Sequence, residues 1–348
     1  MLKFMVFFLL FISSSWAMPV IQIGCELYDD NGGLIKRFPG SMCHFEESGD
    51  RIQVNYQDIQ YINANEKVLW SAPGVHHHQL KVDGDRNELA ILGETSHNVF
   101  GCETRFDTIE IYDIKTGRKK HVVDFRDVFE KKIIQISREY AFLKKLNMRN
   151  SKKYLCDTTH VNSFFQITKN PISKKIPAFA EGNWLVNFSF TGYVLIFDRD
   201  FKKVLWHRNI ELPGINFHDI QSTPEGKILL YVNNHFNASE PKRPYSAIAE
   251  IDPLVNGKGA IKVYDMKYQG KKFYQALAGG MQLLPNQRKL ASVYTPQEGH
   301  MAAYFDKNWN VEKKFTPKPA PFGSGGQVFQ EARLINLNTF FKNYRGPF

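Results

Sequence analysis

The chain alternates apolar and polar residues in short runs, broken every few positions by Gly, Asn, Asp or Pro. Alternation of this kind marks strands with one buried face, and turn residues at such intervals close hairpins. Five stretches share one form: CELYDDNGGLIKRFPG (25–40), TIEIYDIKTGRKKHVVDF (108–125), YVLIFDRDFKKVLWHRNI (193–210), AIAEIDPLVNGKGAIKVYDM (247–266) and AAYFDKNWNVEKKFTP (302–317). Each is a β-rich run ending in aspartate, a polar turn and a second run. An Asx side chain at the strand end can bond the turn's own backbone, which suits a tight hairpin. A second kind of unit alternates with the first: HHQLKVDGDRNELAIL (77–92), HVNSFFQI (160–167) leading through an insert to AEGNWLVNFS (180–189), HDIQSTPEGKILLYVNN (218–234) and GMQLLPNQRKLASVYT (280–295).

Two such hairpins in succession make a four-stranded antiparallel sheet of about 45 to 55 residues. One sheet of that size cannot bury both faces, whereas radial stacking buries them and leaves only short, protected edges. The expected fold is therefore all-β, a six-bladed β-propeller; a β-sandwich or two small β domains is the alternative. Helical periodicity is convincing only in DVFEKKIIQISREYAFLKKLNMR (127–149), where Ile133, Ile134, Tyr140, Leu143 and Leu146 line one face of a helix or of two short ones. This predicts a short helical insertion.

The N-terminus shows Lys3, an apolar run from Phe4 to Ile12, and small residues at Ser15 and Ala17. That pattern predicts a signal peptide over residues 1–17, followed by one propeller domain with N-terminal strands over 18–348. The alternative is a buried N-terminal strand. No later stretch has the length and apolarity of a membrane span, so no stable membrane anchor is expected. Four cysteines, Cys25, Cys43, Cys102 and Cys156, suggest disulfides in an oxidising compartment, with three connectivities open. No pair has CxxC spacing. A lipoprotein role for Cys25 fits poorly, because IQIG precedes it and the apolar run ends well upstream.

The formal net charge is +10 and the pI about 9.2, which favours anionic small molecules or surfaces. The Lys and Arg residues are scattered in short pairs rather than clustered on one motif, so a nucleic-acid partner is not expected. There is no P-loop and no GxGxxG, so no nucleotide or nicotinamide cofactor is indicated.

His218 and Asp219 are adjacent. Neighbours in a strand point to opposite faces, so Asp219 is expected to cap the turn or bridge to a neighbouring blade rather than orient His218. His76, His77 and His78 form the densest histidine cluster. Alternation would put His76 and His78 on one face, where a metal role is conceivable. No partner Cys or His lies at short spacing, and Asp83 and Asp85 read as turn residues. Metal and structural readings both stay open. Because the unit matches the His218 unit in position, His77 or His78 is a further candidate for a channel-facing residue. His97 and Glu94 are weaker candidates.

Three stretches resemble the arylsulfotransferase family, bacterial enzymes that do not use the nucleotide sulfate donor. DTTHVNSFFQI (157–167) is similar to the family's Asp-x-x-His-x-Asn-Ser segment. NFHDIQSTPEGKILLYVNN (216–234) is similar to its His-Asp segment with the following Pro-x-Gly turn. AGGMQLLPNQRKLASVYTPQEGHMAAYFD (278–306) is similar to its next blade. The likeness spans roughly residues 65 to 315. It implies an exported six-bladed propeller with its site at the central channel. The implied reaction moves a sulfuryl group from a phenolic sulfate ester to a phenol through a sulfohistidine. By the same resemblance His160 and His218 hold the sulfuryl oxygens. Arg243 supplies the guanidinium, with Lys242 an adjacent competitor, and His300 takes the group. The sequence departs from the family pattern in lacking a glycine after the Asn of LPNQRKL, and in the length of residues 240–246. The expected partners are a small aryl sulfate and a phenol; as to assembly, a homodimer stays open. A non-catalytic ligand- or protein-binding propeller, or an aryl sulfate hydrolase, is the competing function.

Overall fold

The computed structural model describes residues 20–29, 31–55, 57–99, 102–130, 156–157, 159–189, 191–210, 217–235, 245–273, 279–295, 299–318 and 332–335. The first blade begins with β1 (Val20–Ile23), β2 (Glu26–Tyr28) and β3 (Leu34–Arg37). The second is β4 (Met42–Phe45), β5 (Arg51–Val54), β6 (Asp58–Ile62) and β7 (Val68–Pro73). The third is β8 (His76–Asp83), β9 (Glu88–Val99), β10 (Cys102–Asp113) and β11 (Lys119–Asp124). It is followed by a short helix, α1 (Arg126–Glu130), and by β12 (Cys156–Asp157), which pairs parallel to β10. The fourth is β13 (Val161–Gln166), β14 (Trp184–Phe188), β15 (Tyr193–Phe197) and β16 (Val204–Asn209). The fifth is β17 (Phe217–Ser222), β18 (Ile228–His235), β19 (Tyr245–Ile251) and β20 (Ile261–Asp265), with a small hairpin, β21 (Lys267–Tyr268) and β22 (Lys271–Lys272), after it. The sixth is β23 (Met281–Leu283), β24 (Lys289–Thr295), β25 (Gly299–Phe305) and β26 (Val311–Phe315). A last strand, β27 (Ala332–Ile335), pairs antiparallel with β1 and completes the first blade.

The result is the expected six-bladed β-propeller. Each hairpin of the first kind forms the outer strands of a blade, and each of the second kind forms the inner pair. Of the expected helical insertion, α1 is described and residues 131–149 lie outside the described residues; so does the expected signal peptide. Among the described residues, no helix is long and apolar enough to cross a membrane.

The core is divided into six wedges, one between each pair of neighbouring blades. Between the third and fourth blades, for example, Phe125 packs on Phe188 with ring centroids 5.1 Å apart. Neighbouring blades also meet at the rim, where Trp70 Nε1 donates to the Ile114 carbonyl at 2.6 Å. Gly117, at φ +67°, leaves room there for the Trp70 ring, which a Cβ would meet at 2.5 Å.

The inner strands are sheet edges, so their axis-side backbone groups need partners from elsewhere. Side chains of adjacent blades supply them. Phe164 N–H donates to Gln79 Oε1 at 2.8 Å, and Ile220 N–H to Ser163 Oγ at 2.8 Å. Met281 N–H donates to Asp219 Oδ2 at 2.7 Å. Cys25 and Cys43 form a disulfide that ties the first blade to the second.

Candidate functional site

The strands β8, β13 and β17 are neighbours around the axis, and each starts on the same end of the propeller. Each start is irregular. Strand register shifts between His76 and Leu80, between Val161 and Ser163, and between His218 and Ile220. His78, His160 and Asp219 have φ of 58°, 40° and 34°. A left-handed non-glycine residue costs about 1–3 kcal/mol and is held in place by its surroundings. A bulge re-aims side chains that regular pleating would send to opposite faces.

That re-aiming builds the site. The His78 ring centroid lies 6.0 Å from that of His160 and 6.1 Å from that of His218. Three imidazoles from three successive blades thus converge at one end of the inner strands. The alternation expected for the His76–His78 run fails for the same reason. His76 turns away to Glu110, 3.1 Å from its carboxylate, which Lys119 and the Tyr112 hydroxyl also share. His77 and His78 meet instead, with Nδ1 atoms 2.5 Å apart. The backbone therefore does not put His76 and His78 on one face, and His76 belongs to a structural ion cluster. Among the described residues, no group of three or more His, Cys, Asp or Glu side chains has metal-binding geometry.

Two of the three converging imidazoles are held neutral. Burial pushes His218 down to about 3, with the nearby His160 adding to the shift. Its Nδ1 lies 2.6 Å from Asn233 Oδ1. A carboxamide oxygen only accepts, so Nδ1 carries the proton and Nε2 carries the lone pair. Burial likewise holds His78 well below its ordinary value, helped by His77, His218 and His160.

Behind His78 lies a second layer. His77 Nε2 is 3.2 Å from the Gly93 carbonyl oxygen and 3.3 Å from Asp107 Oδ1. Asp107 is fully buried. Burial alone would raise its carboxyl, but the nearby His77, with His160 and Arg105, outweighs burial and holds it at about 2. Its Oδ2 accepts from Val161 N–H at 2.8 Å and from the Thr159 hydroxyl, which locks the carboxylate against the start of β13. Arg105 reaches Asp107 at 3.8 Å and Glu94 at 3.2 Å.

Of the residues singled out in the sequence, the structure brings together His160, His218 and His78, the last from the pair His77 and His78 that the sequence left open. Asp219 bridges blades, accepting from Met281 N–H, from Gln221 Nε2 at 2.9 Å and from Gln79 Nε2 at 3.3 Å. His97 contacts Arg126 at 3.0 Å and Asp124 at 3.5 Å, apart from the imidazole cluster. Arg243 and Lys242 lie outside the described residues, in the connection from β18 to β19. His300 is the second residue of β25, opposite Tyr294, and its side chain lies outside the described residues. Asp107, Arg105 and Asn233 were not legible as site residues. Asp107 sits in an ordinary β-like run, and only the fold sets it behind His77.

No protein-family model and no curated protein matches the chain. Among solved structures it is similar to a protein of unknown function from Bacteroides caccae. The TM-score is 0.53 at 14% identity, covering 89% of this chain and 97% of that one. It is also similar to the β-propeller domain of Cps50 (Swd1) from Myceliophteria thermophila, at TM-score 0.43 and 9% identity over 88% of this chain and 96% of that one. At these identities the likeness concerns the fold alone.

Proposed function

We propose that the protein is an exported enzyme that moves a sulfuryl group from a phenolic sulfate ester to a phenol through a sulfohistidine. The observation that carries this reading is the convergence of His78, His160 and His218 on one end of three neighbouring inner strands. Sulfuryl transfer asks for a nucleophile in line with the leaving oxygen and for donors around three oxygens, as phosphoryl transfer does. A neutral imidazole can attack sulfur and later leave, splitting one hard step into two. Two of these imidazoles are neutral at rest. An arriving sulfate ester brings a negative charge among them, and an opposite charge favours the imidazolium form. Binding thus draws a proton onto His218 Nε2, which then donates to a sulfuryl oxygen. His160 serves a second oxygen. In this reading Arg243 completes the oxygen site. The strand ends that flank it, His235 of β18 and Tyr245 of β19, lie at the same end as His218 by strand order. His300 is the second residue of β25, whose start lies at the corresponding end of the next blade. The signal-peptide pattern at residues 1–17 and the Cys25–Cys43 disulfide support export to a periplasm or beyond.

The test is turnover of a chromogenic aryl sulfate with and without a phenol. Transfer yields a new aryl sulfate, whereas a hydrolase releases free sulfate in both cases. Removing the His218 or His160 imidazole by substitution with Ala should lower kcat about 100-fold or more, as for loss of an oxyanion donor. Full activity of both variants, or no turnover of any aryl sulfate by the intact protein, refutes the reading.

A further inference from the structure

The contact between His77 and His78 does more than fill space. His77 Nε2 faces two oxygens, the Gly93 carbonyl and Asp107 Oδ1, so Nε2 carries a proton. Its other nitrogen, Nδ1, lies 2.5 Å from His78 Nδ1, a separation that needs one shared proton. In the tautomer that leaves His77 Nδ1 as acceptor, that proton sits on His78 Nδ1 and the lone pair of His78 is on Nε2. A buried carboxylate at 3.3 Å, an imidazole held beside it by the Gly93 carbonyl and a third group within hydrogen-bond reach resemble the arrangement that activates nucleophiles in hydrolases. Here the third group is itself an imidazole. Adjacent residues of a regular strand could not meet in this way, and the left-handed backbone at His78 is what allows it.

We propose that Asp107, His77 and His78 form a relay in which His78 is the residue that carries the transferred group, with Asp107 and His77 positioning it. The proposal rests on the sulfuryl-transfer reading for the identity of that group, and it replaces His300 as carrier. In the first step His78 Nε2 forms a bond to sulfur while the bond from sulfur to the aryl oxygen breaks, and the phenolate leaves with that electron pair. The proton on His78 Nδ1 passes to His77 Nδ1. His77 becomes an imidazolium held by Asp107, and the sulfated ring of His78 keeps no positive charge. In the second step the acceptor phenol oxygen bonds to sulfur, the sulfur–nitrogen bond breaks, and the proton returns from His77 to His78 Nδ1. The phenol proton balances the phenolate released in the first step.

The relay is tested on the intact protein by trapping with 4-nitrophenyl sulfate without acceptor, digestion and fragment mass spectrometry. A sulfuryl adduct on His78 is the expected result. An adduct on His300, His218, His160 or His77 overturns the proposal. Asp107→Asn should lower kcat by about 100- to 10,000-fold with KM little changed, as when an orienting carboxylate is lost from a triad. A nitrogen-15 spectrum of the histidines supplies a readout that a structural role would not move. It should show Nδ1 protonated on His78 and Nε2 protonated on His77, and the His77 pattern should change in Asp107→Asn. If no aryl sulfate gives an adduct, the sulfuryl reading fails, and the tautomers still decide the relay. A proton on His78 Nε2 with none on Nδ1 overturns it.

Discussion

His218 is 6% exposed, and its Nδ1 faces an amide oxygen. This sets its charge state and makes stability acid-sensitive. Its folded pKa, about 3, lies below the unfolded value near 6.5. Between those values the unfolded chain binds the extra proton, so the stabilising contribution is complete above about pH 6.5 and is lost as pH falls toward 3. His78 acts in the same direction. Denaturant titrations should show stability dropping by about 1.4 kcal/mol per pH unit across that window from His218 alone, with His78 adding to the loss. A flat profile between pH 6 and 4 would contradict the buried neutral imidazoles. Asn233→Asp places a carboxylate on His218 Nδ1 and should raise the histidine's pKa toward its ordinary value, read by NMR titration. The same logic predicts proton uptake on binding an aryl sulfate. Calorimetry near pH 6.5 in buffers of different ionisation enthalpy should report uptake in the intact protein and less in His218→Ala. At this scale the sequence showed His160 and His218 through their motifs. Asp107 and Asn233 stayed hidden because they act across strands, and the choice between His77 and His78 stayed open because the backbone at His78 departs from alternation.

At the scale of the strand, the bulges that aim the histidines also free inner-edge backbone groups, and polar side chains take these up. Asp219 is the busiest of them, with three donors from three inner strands. Asp219→Ala takes the acceptor from the Met281 N–H and puts alanine at φ 34°, so it should cost about 3 kcal/mol or more in thermal or denaturant unfolding. Asp219→Asn keeps an acceptor and a residue that tolerates the left-handed region, and should cost clearly less. Equal stabilities for the two variants would remove the bridging role. Most blades were legible because their hairpins alternate cleanly and end in aspartate. The second blade was not. Its β5 buries Arg51, 1% exposed, which pairs with Glu66 at 2.6 and 2.8 Å and stacks 4.7 Å over the Phe38 ring. A buried charge in a core position erases the apolar half of the pattern, and only neighbouring strands reveal that it is satisfied.

For the whole molecule, the decisive feature is how the ring closes. The first blade takes β27 from near the C-terminus and β1 to β3 from near the N-terminus, with Val20 opposite Ile335 and Ile23 opposite Ala332. A strand of four residues carries little periodicity, so the closure could not be read from sequence. Its consequence is that the wedge between the sixth and first blades, which buries Ile21, Tyr28, Leu290 and Phe315, depends on distant parts of the chain meeting. The Cys25–Cys43 bond holds the other side of the first blade, across a separation of 18 residues. Cross-linking a loop of that size stabilises by about 3 kcal/mol, largely by restricting the unfolded chain. Replacing both cysteines with serine should therefore lower stability by about 2–4 kcal/mol. Ending the chain before Ala332 exposes the β1 edge and should cost more, with loss of a single cooperative transition and a tendency to self-associate. Both changes loosen the same blade. Combining them should make the loss non-additive, as expected for elements that share partners. If the four unfolding midpoints added within error, closure and disulfide would be acting on independent parts of the ring, and the first blade would not be the shared clasp that its strand order describes.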